Sequence, residues 1–153
     1  ILSPSEEMPT LTYNCINRHI SRVVRTRMVS ATSPWANDPT ILEAKTHLVP
    51  ISHGEGRIII SDELAKDLFA KGQVYTQYVT EEGVPVMSEP DNPNGSMFAI
   101  EGITSLDGRI LGKMGHSERT IGALANGKSD SLLKNISGDN CQNLFAAGVR
   151  YFN

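Results

Sequence analysis

The sequence predicts an α/β domain, on three observations. Short runs rich in β-branched and apolar residues recur between clusters of Gly, Pro, Asn, Asp and Ser. One segment carries both the start and the stop signals of a helix, and a second, near the end, repeats apolar residues at helical spacing. No internal repeat and no long linker interrupts the pattern, so residues 1–153 read as part of one domain.

The strand-like runs are Arg22–Val29, His47–Ser52, Arg57–Ile60, Val74–Val79, Met97–Thr104 and Arg109–Met114. Between the third and fourth lies Ser61–Gly72, where Ser61 can cap the amino end, Asp62 and Glu63 complement the helix dipole, and Lys71-Gly72 suit a carboxyl end. Asp107-Gly108, between Ile103 and Ile110, is a two-residue hairpin signal whose glycine tolerates positive φ. Gly122–Asn140 is polar and rich in Gly, Ser, Asn and Lys, which suits a partly helical start followed by a loop. Asn143–Phe152 then sets Phe145, Val149 and Phe152 on one helical stripe, a packing helix. Trp35, Phe69, Phe145 and Phe152 read as core or domain-contact residues.

Fourteen Lys and Arg against 17 Asp and Glu leave a net charge of −3 with no run of like charge, which argues against a nucleic-acid partner. Apolar stretches such as Ile58-Ile59-Ile60 fall far short of the roughly 18 residues of a membrane helix, so no bilayer span is expected. Ile1–Glu7 has no initiator Met, basic region or apolar core of a leader, and reads as a cut inside a longer chain. Cys15 and Cys141 lie far apart in no CxxC arrangement, so neither disulfides nor a metal site is expected and a reducing, cytoplasmic setting is inferred.

The chemistry concentrates in Gly112-Lys113-Met114-Gly115-His116-Ser117-Glu118-Arg119. Residues two apart share a face in an extended chain but diverge by about 200° on a helix, so His116 and Glu118 can meet if the strand before them continues. A carboxylate beside an imidazole fixes its tautomer and stabilises the imidazolium, as a base serving a nucleophile requires. Taken alone, the same tripeptide also reads as a solvated pair at a strand end.

More of the chain bears on the choice. Pro50-Ile51-Ser52-His53-Gly54-Glu55-Gly56-Arg57, then Asn92-Pro93-Asn94-Gly95-Ser96, the hairpin strands Phe98–Thr104 and Gly108–Gly112, and finally His116-Ser117-Glu118-Arg119 resemble, in order and spacing, the glutaminase part of phosphoribosylformylglycinamidine synthase. Asn14–Arg18 and Arg22–Arg27 are similar to an upstream strand of that family. The resemblance implies a triad-type, class I glutamine amidotransferase: a three-layer, flavodoxin-like fold with a mainly parallel central sheet. Residues 1–153 would be the C-terminal portion of one glutaminase domain, lacking the N-terminal strands and the nucleophile elbow.

By the same resemblance His116 is general base and acid, and Glu118 its orienting carboxylate. His53, Gly54 and Glu55 become candidates for the glutamine pocket, though the run also reads as a turn between two strands. Asn92–Ser96 suits a structural turn near the site. The family's Gly-x-Cys-x-Gly elbow would fall roughly a dozen residues before Ile1. Cys15, flanked by Asn14 and Ile16 without glycine, reads as structural, as does Cys141.

The family's ATP and magnesium belong to a synthetase region, so no cofactor and no metal are expected in residues 1–153. The implied partners are glutamine and that synthetase, either in the same chain or as a partner subunit. A noncatalytic scaffold that supports a synthetase is the alternative of a different class. Gly115 and Ser117 stand where the family often has prolines, which leaves open what makes the strand end rigid.

Overall fold

The computed structural model of the chain describes residues 8–119 and 142–153. The expectations for Ile1–Glu7, for Gly122–Asn140 and for Cys141 lie outside the described residues.

The elements run β1 (Thr10–Thr12), β2 (Ile20–Met28), α1 (Pro39–Leu42), β3 (His47–His53), β4 (Arg57–Ile59), α2 (Asp62–Ala70), β5 (Val74–Tyr78), β6 (Ile100–Thr104), β7 (Leu111–Lys113) and α3 (Leu144–Phe152). Each strand-like run of the sequence contains a strand. The run from Met97 is shortened, because Met97–Ala99 forms a 3-10 turn with Phe98 and Ala99 at positive φ. Glycine is the usual occupant of that backbone region, and here Gln77 Nε2 holds the turn by donating to the Phe98 carbonyl at 2.8 Å.

Strands β3-β2-β5-β6-β7 form one sheet, and β1 pairs with β4 in a second. Every ladder among the described residues is antiparallel, which corrects the expectation of a mainly parallel sheet. The reason is in the connections. Parallel neighbours need a crossover between strands of one sheet, usually helical, and α2 instead links β4 in the small sheet to β5 in the large one. After β7 the chain returns to the opposite edge, where Gly115 bridges Ile51 of β3, so the sheet curls on itself.

The β6–β7 hairpin is present, with Gly108 at φ 71°, but its loop is wider than two residues. Ser105 N donates to the Ile110 carbonyl and Asp107 accepts from Ser105 Oγ and Arg109 N, so Asp107 organises a six-residue turn from 105 to 110.

Helix α2 has its expected cap, with Ser61 Oγ accepting from Leu64 N at 3.2 Å. Its Ala65 and Leu68 pack with Ile58, Ile60, Val74 and Ile100. The next residue of β5, Tyr75, points to the other face and packs with Ala36, Ile41, Leu144 and Ala147. A helix therefore covers each face of β5. The inward side of α3 is Leu144 and Ala147, with Gly148 against Trp35. Phe145 and Val149, expected to pack, are 57% and 60% exposed, and the side chain of Phe152 lies outside the described parts. The apolar stripe read from the sequence was one helical step away from the buried one.

Candidate active site

His116 sits where the curled sheet closes. Its backbone N donates to the Pro50 carbonyl at 2.8 Å, prolonging the contact of Gly115 with β3. The extended conformation stops there, because residues 117–119 are helical. His116 and Glu118 thus meet across a strand-to-helix junction rather than along a continuing strand, which corrects the route by which the sequence brought them together. They do meet: His116 Nδ1 lies 2.7 Å from Glu118 Oε1.

A carboxylate only accepts, so Nδ1 carries the proton and Nε2 is the ring's free base. Partial burial raises the Glu118 carboxyl, but hydrogen bonds from its own backbone and the His116 ring, with the charges of His116 and Arg119, outweigh it and leave its pKa below the usual value. The His116 side chain is 33% exposed and opens on a cleft of about 270 Å³, whose other walls include Trp35, Leu111, Leu144 and Phe145. The His–Glu pair is thus reachable yet partly walled by apolar groups.

His53, Gly54 and Glu55 lie where β3 ends, three to five residues beyond Pro50. They do not line the cleft beside His116. Asn14 organises their turn. Its Nδ2 donates to the carbonyls of Arg18 and His53, each at 2.8 Å, and its Oδ1 accepts from Gly56 N and from His53 Nδ1 at 2.9 Å. Because Oδ1 is the acceptor, His53 holds its proton on Nδ1; its Nε2 is buried with no hydrogen-bond partner among the described residues.

Desolvation first, then the charges of His19 and His116, depress the His53 pKa below its ordinary 6.5. The folded chain therefore prefers the neutral ring, while an unfolded chain would protonate near 6.5. Its contribution to stability is fully present above that value and is lost as pH falls toward the folded value. Thermal midpoints at about pH 7.5 and 5.5 should fall less in His53→Asn than in the unaltered chain; equal losses would assign the effect elsewhere.

The Asn92–Ser96 turn has the structural role the sequence suggested. Asn92, Asn94 and Ser96 are buried. Asn94 Nδ2 donates to the Gly56 carbonyl at 2.7 Å and to the Tyr78 hydroxyl, and Ile58 N donates to Ser96 Oγ, which locks this turn onto the 53–56 turn. Cys15 is exposed in a turn that leads into β2, not in the strand the family likeness implied. A nucleophile elbow turns from strand to helix, so this setting is that of a structural cysteine.

Three supporting residues escaped the sequence reading: Asn14, Glu101 and Lys113. Glu101 is fully buried in β6, a strand with buried residues on both faces. Its Oε2 accepts from Thr76 Oγ1, and its Oε1 accepts from Gly115 N and pairs with Lys113 Nζ at 3.3 Å. The only signal was a Glu and a Lys on neighbouring strands of a hairpin, legible only once the register Gly102↔Lys113 is known. Among the described residues no group of three His, Cys, Asp or Glu could hold a metal ion, and no helix is long and apolar enough to cross a membrane.

Residues 2–152 match the model of the CobB/CobQ-like glutamine amidotransferase domain. The chain is 35% identical over 147 residues to phosphoribosylformylglycinamidine synthase subunit PurQ of Treponema denticola, covering 93% of this chain and 52% of that protein. It is 31% identical over 133 residues to the PurQ subunit of Salinibacter ruber, covering 84% and 55%. A solved structure of PurLQS from Thermotoga maritima shares the fold, with a TM-score of 0.65 at 22% identity over 95% of this chain and 54% of that one. The chain spans about half the length of the curated relatives it matches.

Proposed function

The chain belongs to the CobB/CobQ-like glutamine amidotransferase domain family, and from that premise we propose that it carries the proton-handling half of a glutaminase site. The observation that carries the reading is the 2.7 Å contact between His116 Nδ1 and Glu118 Oε1, which leaves Nε2 free to act as a base. In this reading the thiol of an upstream cysteine gives its proton to Nε2 and the thiolate attacks the side-chain amide carbon of glutamine. The imidazolium returns the proton to the departing nitrogen as ammonia leaves and a thioester forms; water, deprotonated by Nε2, then attacks the thioester carbon, the C–S bond breaks to release glutamate, and the imidazolium returns its proton to the sulfur. Glu118 holds the ring in one tautomer and offsets its charge during both steps.

Similarity to PurQ subunits supports assigning the ammonia to ATP-dependent amidation of formylglycinamide ribonucleotide in purine synthesis, with ATP and magnesium bound by a synthetase partner. Relatives named as subunits favour a separate partner over a fused synthetase. A cytoplasmic setting and the family's three-layer arrangement belong to the same reading. His53, Gly54 and Glu55 would shape the glutamine pocket from the turn that ends β3.

The 153-residue chain taken alone should release no ammonia from glutamine above background, because His116 and Glu118 cannot replace the attacking thiolate. Ammonia release abolished by Cys15→Ala would instead make Cys15 the nucleophile and overturn its structural assignment.

A further inference from the structure

Gly115 and Ser117 flank His116. Glycine is the most permissive of residues and serine imposes little, so while Glu118 orients the ring, neither flanking residue fixes the backbone that carries it. The fixing comes from β6 and β7. Lys113 Nζ donates to the Gly115 carbonyl at 3.1 Å and to Ser117 Oγ at 3.3 Å, and forms an ion pair with Glu101 Oε1 at 3.3 Å. Glu101 Oε1 accepts from Gly115 N. The carboxylate thus holds Gly115 by its N–H while the ammonium holds it by its C=O, and the ammonium also holds Ser117. Ser117 Oγ in turn donates to Gln142 Oε1 at 3.0 Å.

We infer that Glu101 and Lys113 are positioning residues for His116, acting through Gly115 and Ser117; the inference rests on the glutaminase reading of His116 and deepens it. Gly115 has no room for a side chain, since an added Cβ would lie 2.7 Å from Val49 Cγ2. A Cβ on Gly115 would come within 2.8 Å of both Glu101 Oε1 and Lys113 Nζ, and a proline there would have no N–H to give the carboxylate. The side chains are 7% exposed for Lys113 and 0% for Glu101. Burying such a pair is often no better for stability than two apolar groups of similar size. The geometry it imposes on either side of His116 is what it contributes.

Two double variants of the complete enzyme, each removing both charges, test this. In Glu101→Met/Lys113→Met the Gly115 N–H loses its acceptor; kcat for glutamine hydrolysis should fall by about 10- to 100-fold, with KM for glutamine and ammonium-driven synthesis unchanged. In Glu101→Gln/Lys113→Met the amide oxygen still accepts from Gly115 while both Lys113 hydrogen bonds are lost, and kcat should fall only about three- to tenfold, between the starting enzyme and the Met pair. Equal kcat values in the two variants would overturn the inference. If the Met pair does not fold, Ser117→Ala decides: a roughly three- to tenfold loss of kcat is expected, and an unchanged kcat overturns it. His116→Ala, run alongside, separates the two levels. Full hydrolysis by that variant would sink the glutaminase reading itself, whereas its loss together with an unaffected Met pair would sink the positioning role alone.

Discussion

His116→Ala in the complete enzyme should cut glutamine-driven synthesis by roughly 10²- to 10⁴-fold, the range for removing a general acid–base, and leave synthesis from added ammonium salts largely intact. In the glutaminase reading the imidazole acts in forming and breaking the thioester, and free ammonia enters the synthesis after that step. Glu118→Gln should act in the same direction but less severely, because the amide can still orient the ring while losing most of the stabilisation of the imidazolium. Both rates must be measured on the same preparation. A His116→Ala variant that loses both equally would show the residue holding a domain or an interface together, and the noncatalytic scaffold would become the better account.

The second large effect is on stability. Lys113→Met alone leaves the fully buried Glu101 carboxylate without its cation, and breaking a buried pair in this way costs about 3 kcal/mol or more. At roughly 2–4 °C per kcal/mol for a chain of this size, the thermal midpoint should drop by about 10 °C. Glu101→Met should do the same from the other side. The doubly substituted chain should recover most of the loss, since two apolar groups replace two charges that no longer need solvation. Losses that add instead of cancelling, in a denaturation cycle, would mean that the 3.3 Å contact carries little energy.

The strands and α2 were legible because their signals are local: β-branched runs set off by turn formers, and a serine cap followed by two acids. The pairing of His116 with Glu118 was legible as a constellation, but not its geometry, since the onset of helix at residue 117 depends on the return of the chain to β3. The direction of the strands was not legible because the likeness implied it for a whole domain, while the described strands pair antiparallel and α2 passes from one sheet to the other. On α3 the sequence supplied two apolar faces, and only the position of Trp35 decides which one is covered. The contact of Glu101 with Lys113 was not legible because it depends on the register of the β6–β7 hairpin, which no local signal gives.

The closure of the sheet at Gly115 and His116 has a consequence for the order of assembly. Strands β2 and β3 are joined along seven registered residues, whereas the seam between β3 and the segment after β7 consists of one bridge and the contact of His116 with Pro50. The partners at that seam are more than sixty residues apart in sequence, so the entropy of closing the intervening loop must be met before it can form. A partly folded chain can possess most of its strands and still have no site. The His–Glu pair is therefore coupled to completion of the tertiary structure, and the seam that carries it, thinly bonded and non-local, is where local opening would first dismantle the chemistry while the β2–β3 ladder stays intact.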